Sequence, residues 1–397
     1  SALQGPPGPP GLQLGRARVV VPEGPTVLQA IQATQGRVYT LELSGGMSQI
    51  RAFEVTATEV RPQKPVPVRP VSTVRRLVRL AGDELLFDSQ SFTEPLSWLR
   101  YAPGRELRRT ALSLPPRVDF SDVEVRRLSC TSSDKAAVPL TVMLRKGLKL
   151  DGKNPTILTG YGGFGISLTP DFKPLRRLWL DQGGVYAVAN LRGGGEFGEA
   201  WHQAGMLEKK QNVFDDFIAC AEALVSEKIT RPDRLAIMGG SNGGLLVSAV
   251  VTQRPELFRV GLALVPLTDM LRYHQFRIGK LWIPEYGSAD DPEQFKWLHA
   301  YSPYHRVNDG TRYPSMLFTT AESDSRVDPL HARKMAARMQ EAQGDASHPI
   351  FLRVETKAGH GAGKPITKLT DELTDELSFL FHELGMISGK TISDKAK

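Results

Sequence analysis

The residues best placed to do chemistry lie around Ser241. The run Leu235-Ala236-Ile237-Met238-Gly239-Gly240-Ser241-Asn242-Gly243-Gly244-Leu245-Leu246-Val247 reads as an apolar strand, then Gly-x-Ser-x-Gly, then an apolar helix. Gly239 and Gly243, two residues to either side of the serine, let the chain turn sharply without Cβ clashes. Such a turn lifts the serine oxygen onto the end of a sheet and the start of a helix. A plain glycine-rich turn would need neither the strand before it nor the helix after it. A hydroxyl is a weak nucleophile until a base takes its proton. The chemistry expected is therefore acyl transfer to Ser241, and it requires an imidazole and a carboxylate farther along the chain.

In folds that present a serine this way the chain order is Ser, then Asp or Glu, then His, on loops after later strands. The strand pattern Ser315–Thr320 runs into Glu322-Ser323-Asp324-Ser325-Arg326, and Ile350–Glu355 runs into Gly359-His360-Gly361. Asp324 and His360 are the expected orienting acid and base. Asp328 reads instead as a helix cap, and Asp269 could serve only if the topology were shifted by one strand. His331 and His382 fall inside helical patterns, while His202, His274, His299 and His305 all precede Asp324. Negative charge developing on a carbonyl oxygen needs preorganised donors. The backbone N–H of Asn242 is one, and the Tyr161 hydroxyl, in the loop Gly160-Tyr161-Gly162-Gly163-Phe164, is available as the second. Without that role Tyr161 reads as a packing aromatic.

The elements that must position these loops change character near residue 116. Before it, Arg37–Leu43, Ile50–Thr56, Thr73–Leu80, Glu84–Asp88 and Trp98–Tyr101 alternate with turn signals and predict about five short strands of an antiparallel all-β unit over residues 1–115. The opening Gly5-Pro6-Pro7-Gly8-Pro9-Pro10-Gly11 is too short for a triple helix and reads as a flexible or polyproline-type lead; Pro62–Pro70 reads as another extended stretch. From 116 to 397, apolar runs at Pro155–Tyr161, Val185–Leu191, Leu235–Gly239, Val260–Val265, Ser315–Thr320 and Ile350–Glu355 alternate with helical patterns at Val213–Lys228, from Asp328-Pro329, and at Lys368–Leu384. Continuous apolar strands are buried on both faces, which implies a mostly parallel sheet clothed by helices. The fold class expected is α/β, of the α/β-hydrolase type.

Composition narrows the function. The chain has 397 residues, 41% hydrophobic and 23% charged, long enough for two domains and free of any apolar run that could cross a bilayer. Its net charge of +7 is scattered, with Arg75, Arg76 and Arg79 the densest group. A nucleic-acid site concentrates its cations and interleaves aromatics, so no nucleic-acid partner is expected. Cys130 and Cys220 form no CxxC or Cys/His cluster. Neither a metal nor another cofactor is expected.

Taken together, Gly160-Tyr161-Gly162-Gly163-Phe164, Asn190-Leu191-Arg192-Gly193-Gly194-Gly195-Glu196-Phe197-Gly198, Gly239-Gly240-Ser241-Asn242-Gly243-Gly244 and Ala358-Gly359-His360-Gly361-Ala362-Gly363-Lys364 closely resemble the catalytic domain of the prolyl oligopeptidase family, from about residue 116 to 385. Asn242 and the Gly-Ala-Gly-Lys after His360 favour this family over its oligopeptidase B and acylaminoacyl-peptidase relatives. The resemblance implies cleavage of short peptides after proline by a monomeric, cytoplasmic enzyme. It places Trp282 against the proline ring, Phe164, Leu267, Tyr286 and Val327 around it, and Arg326 on a substrate carbonyl. Proline has no N–H to read, so its selection must come from a flat apolar slot. By themselves Trp282 and Tyr286 read as core aromatics, and Leu267 need only pack.

The family carries a seven-bladed β-propeller that restricts access to small peptides, and a hydrolase segment ahead of it. Residues 12–115 resemble about two blades, a partial β-propeller, and two blades leave sheet edges unpaired. The chain by itself is therefore expected to be aggregation-prone or to tolerate larger substrates. A broader serine peptidase or esterase, and an inactive fragment that only binds peptides, are the alternative readings.

Overall fold

The computed structural model describes residues 18–113, 115–356, 358–361 and 363–386. The Gly5–Gly11 lead lies outside them, as do Lys357 and Ala362 beside His360.

Among the described residues nine strands precede residue 110. β1 (Val27–Ala33), β2 (Arg37–Ser44), β3 (Met47–Val55) and β4 (Val60–Val66) form one antiparallel sheet in that order. β5 (Ser72–Thr73), β6 (Leu77–Arg79), β7 (Leu85–Ser91), β8 (Ser97–Tyr101) and β9 (Arg108–Arg109) form a second, with β5 and β6 both paired to β7. Their inner faces share one core of Tyr39, Leu41, Ile50, Val66, Leu85, Phe87 and Leu99. The stretch read as extended at Pro62–Pro70 runs in part through β4, an edge strand, the place in a sheet where proline is tolerated. One expectation is corrected here. The strand expected over Thr73–Leu80 is broken in two, because buried Asp88 draws the N–H groups of Arg75 and Arg76 onto its Oδ1 at 2.7 and 3.0 Å.

The larger sheet has eight strands: β10 (Val123–Thr131), β11 (Ala137–Arg145), β12 (Thr156–Thr159), β13 (Val185–Ala189), β14 (Leu235–Gly240), β15 (Val260–Leu264), β16 (Ser315–Ala321) and β17 (Ile350–Glu355). Their spatial order is β10-β11-β13-β12-β14-β15-β16-β17. The hairpin β10–β11 is antiparallel and joins β13 antiparallel; every later pair is parallel. Alternate residues of each central strand feed two cores. Ile237 and Phe318 pack under helices Gln211–Ser226, Asn242–Gln253 and Leu330–Ala342. Ala236 and Leu317 pack with Trp179 and Leu180 of helix Arg176–Asp181 and Leu380 of helix Ile366–Glu383. Phe92, directly after β7, joins this latter core.

Two features of the sheet matter for the site. Chain order places β13 on one side of β12 and β14 on the other, which opens a crevice beyond the carboxyl ends of β12 and β14. Because β12 to β17 all run parallel, the loops that follow them emerge at that same end.

Candidate active site

Ser241 follows β14 directly and precedes helix Asn242–Gln253. Its φ of 58° and ψ of −118° lie where side chains other than glycine rarely go. The bend closes only because Gly239 lacks a side chain: a Cβ there would sit 2.3 Å from the Gly243 carbonyl oxygen. The N–H of Asn242 opens the helix, where first-turn N–H groups have no intrahelical acceptor, so it is free to point at a bound oxygen.

Asp324 lies in the loop after β16 and is fully buried. Its Oδ1 accepts the N–H groups of Arg326 and Val327 at 2.9 and 3.0 Å. Its Oδ2 faces His360 Nδ1 at 2.7 Å. The carboxylate therefore meets the ring already fixed by its own loop, and it favours the tautomer with the proton on Nδ1. His360, in the loop after β17, keeps 18% of its side chain exposed. Among the described residues Nε2 makes no hydrogen bond, and the Ser241 hydroxyl is not bonded to it. Hydrogen bonds that carry catalysis are often long before substrate binds.

The other candidates fall elsewhere. Asp269 is tied to Lys334 at 2.5 Å and Arg272 at 3.0 Å; burial pushes its pKa up, but those cations outweigh it and hold the carboxyl below its ordinary range. His331 accepts the N–H groups of Thr268 and Asp269, and burial pulls it down to about 4, a neutral core histidine. Asp328 caps its helix through the Leu330 N–H at 3.0 Å. His274 pairs with Asp290, and His305 with the Ser302 hydroxyl. His348, which the sequence reading did not weigh, precedes β17, at the opposite end of the sheet from Ser241, beside Arg259 and Arg312.

Tyr161, in the loop after β12, presents its phenol to the Ser241 side chain, and burial keeps its pKa above the ordinary value. It stays a donor at neutral pH. The aromatic group next to it is continuous. Phe164 meets Tyr286 edge-on at 5.5 Å, Tyr286 meets Tyr273 edge-on at 5.4 Å, and Tyr273 lies nearly parallel to Trp282 at 6.5 Å. Tyr286 is fully buried, whereas Phe164 and Trp282 are only partly covered. Leu267 and Val327 are buried in the same core, and Arg326 is exposed beside the Asp324 loop.

Sequence reasoning missed three residues here. Tyr273 links Trp282 to Tyr286. Glu285 accepts the Phe164 N–H at 2.8 Å through Oε1 and meets His202 Nε2 at 2.8 Å through Oε2. Lys210, just ahead of helix Gln211–Ser226, donates to the Gly162 carbonyl at 2.7 Å and to Asn242 Oδ1 at 3.3 Å. The position of Glu285 next to Tyr286 could have drawn attention to it; nothing local singles out Lys210. Among the described residues no group of three His, Cys, Asp or Glu side chains could hold a metal ion.

Residues 170–386 match the prolyl oligopeptidase family. The prolyl endopeptidase of Elizabethkingia miricola is 48% identical over 274 residues, 68% of this chain and 39% of that protein. A solved structure from a study of two prolyl endopeptidases superposes with a TM-score of 0.85 at 44% identity, covering 93% of this chain and 54% of the other. A post-proline cleaving enzyme from Rickettsia typhi superposes with a TM-score of 0.80 at 30% identity, covering 92% and 52%. The chain thus spans about two fifths of the length of the curated relatives it matches. Among the described residues no helix is long and apolar enough to cross a membrane.

Proposed function

The chain belongs to the prolyl oligopeptidase family, with its α/β-hydrolase fold, and from that premise we propose that it is a serine peptidase that cleaves short peptides on the carboxyl side of proline. The observation that carries the reading is the pairing of buried Asp324 with the partly exposed His360, at 2.7 Å, on loops at the same sheet end as the strained Ser241. The two units proposed are a pair of propeller-like sheets up to about residue 115 and a hydrolase unit after it.

In the proposed reaction His360 Nε2 accepts the Ser241 proton as the serine oxygen bonds to the carbonyl carbon. The oxyanion takes hydrogen bonds from the Tyr161 phenol and the Asn242 N–H. Collapse breaks the C–N bond, the imidazolium gives its proton to the leaving amine, and the peptide remains as an ester on Ser241. Water then repeats the sequence and releases a free carboxylate. Asp324 stabilises the imidazolium and fixes its tautomer without itself taking the proton.

The proline ring would lie in the slot of Trp282, Phe164, Tyr286, Leu267 and Val327, with Arg326 on a neighbouring carbonyl. Trp282→Ala tests the slot. Its preference for proline over alanine before the scissile bond is expected to fall about 10- to 100-fold, measured as the ratio of kcat/KM values for matched peptides. An unchanged ratio would favour a broader peptidase. Tyr161→Phe tests the oxyanion donor: it keeps the ring and its packing, so a loss of about 10²-fold in kcat with little change in KM is expected. Steady-state kinetics on a short proline peptide read both numbers.

A further inference from the structure

The residues that would hold the oxyanion and the slot are not independent; they meet at one buried polar node. The Asn242 side chain lies at its centre. Its Nδ2 donates to the Tyr161 carbonyl at 2.6 Å, and its Oδ1 accepts from the Tyr286 hydroxyl at 2.8 Å and from Lys210 at 3.3 Å. Gly163 makes room for that amide, since a Cβ there would lie 2.7 Å from Nδ2. Lys210 reaches the Gly162 carbonyl at 2.7 Å, sits 5.3 Å from the Tyr286 ring centre, and has Glu285 Oε1 at 3.9 Å. Glu285 in turn holds the Phe164 N–H.

Fold stability does not account for this ammonium. Only 1% of the Lys210 side chain and 5% of Glu285 are exposed. Burial pulls Lys210 down to about 8 against the opposing pull of Glu285. A cation just ahead of a helix N-terminus also opposes the helix dipole, and a buried ion pair is commonly no more stabilising than apolar residues of the same size. What Lys210 does have is the right set of partners. It fastens the Gly162 carbonyl, one residue from the Tyr161 donor, to the side chain of Asn242, whose N–H is the other donor.

We propose that Lys210, with Glu285 as its counter-charge, is a positioning residue that sets the distance between the two oxyanion donors and fixes the aromatic slot to them. It touches neither substrate nor reacting atoms; it acts through the Gly162 carbonyl and the Asn242 amide. The inference rests on the peptidase reading above, and deepens it by naming the side chain that preorganises that site.

The test is Lys210→Met, made in the full chain and compared with wild type. Misplacing a donor by about 1 Å costs about 10²-fold, so the rate of Ser241 labelling by a fluorophosphonate should fall about 10- to 100-fold. kcat on a proline peptide should fall by the same factor while KM holds within about 3-fold. Affinity for a peptide aldehyde ending in proline, which forms an oxyanion on binding, should fall in parallel. Since the single variant takes from buried Glu285 its lysine counter-charge and leaves it only His202 and the Phe164 N–H, Lys210→Met/Glu285→Gln removes both charges. It should melt at the wild-type temperature and still label slowly. A double variant with wild-type melting and wild-type labelling rate overturns the proposal. Failure of the proline reading looks different: wild type would label at Ser241 but not prefer proline, and the labelling rates would still decide the role of Lys210.

Discussion

Ser241→Ala is expected to lower kcat/KM on a short proline-containing peptide by about 10⁶-fold, as in serine hydrolases whose nucleophile and base act as a unit. The substitution removes one oxygen and nothing else. Alanine has the same Cβ as serine, so the φ of 58° at the bend carries no new strain, and melting temperature and circular dichroism should match wild type. Fluorophosphonate labelling should vanish. The residual rate would come from the Tyr161 and Asn242 donors acting on water-mediated hydrolysis. Retention of more than about a hundredth of the wild-type rate, well above what other triads keep, would rule out Ser241 as nucleophile and with it the acyl-enzyme route.

Asp324→Asn is expected to cost about 10⁴-fold in kcat with little effect on KM. The two backbone N–H groups of Arg326 and Val327 can still be met by the amide oxygen. That leaves the amide NH₂ aimed at His360 Nδ1, where a carboxylate oxygen stands at 2.7 Å. An NH₂ there makes Nδ1 an acceptor and moves the ring proton to Nε2, the nitrogen that must accept from Ser241. The ring stays in place with the wrong tautomer. A loss under about 10-fold would mean that Asp324 only packs, since a tautomer fault of this kind costs far more elsewhere. Direct observation of the ring proton on Nδ1 in wild type and Nε2 in the variant, by nitrogen NMR of labelled histidine, checks the cause independently of rate.

Both predictions draw on residues that could be picked out before any coordinates, while Lys210, and with it the node it forms with Glu285, could not. The difference is physical. Ser241, Asp324 and His360 sit in loops at the ends of apolar strands, and the strand pattern itself dictates which end of the sheet each loop leaves from. Lys210 has no such local constraint. A lysine before a helix defaults to solvent, and its burial depends on a glycine-rich loop some fifty residues earlier and an amide thirty residues later. The same limit applies to weaker strands. Edge strand β10 has no continuous apolar run, since Glu124, Arg126 and Arg127 interrupt it, whereas β11, buried over Leu140–Leu144, is a run that the sequence pattern could have shown. The interruption between β5 and β6 depends on Asp88, a dozen residues downstream.

The sequence by itself determined the class of fold, the chain order of Ser241, Asp324 and His360 on their loops, and the strained turn that carries Ser241, because each follows from short-range periodicity and from glycine's freedom at named positions. Only the tertiary structure decided which charges are buried together and which aromatics share a wall with them. Those contacts join segments far apart in the chain, and their free energy depends on desolvation and distance, neither of which is a property of any one stretch of residues.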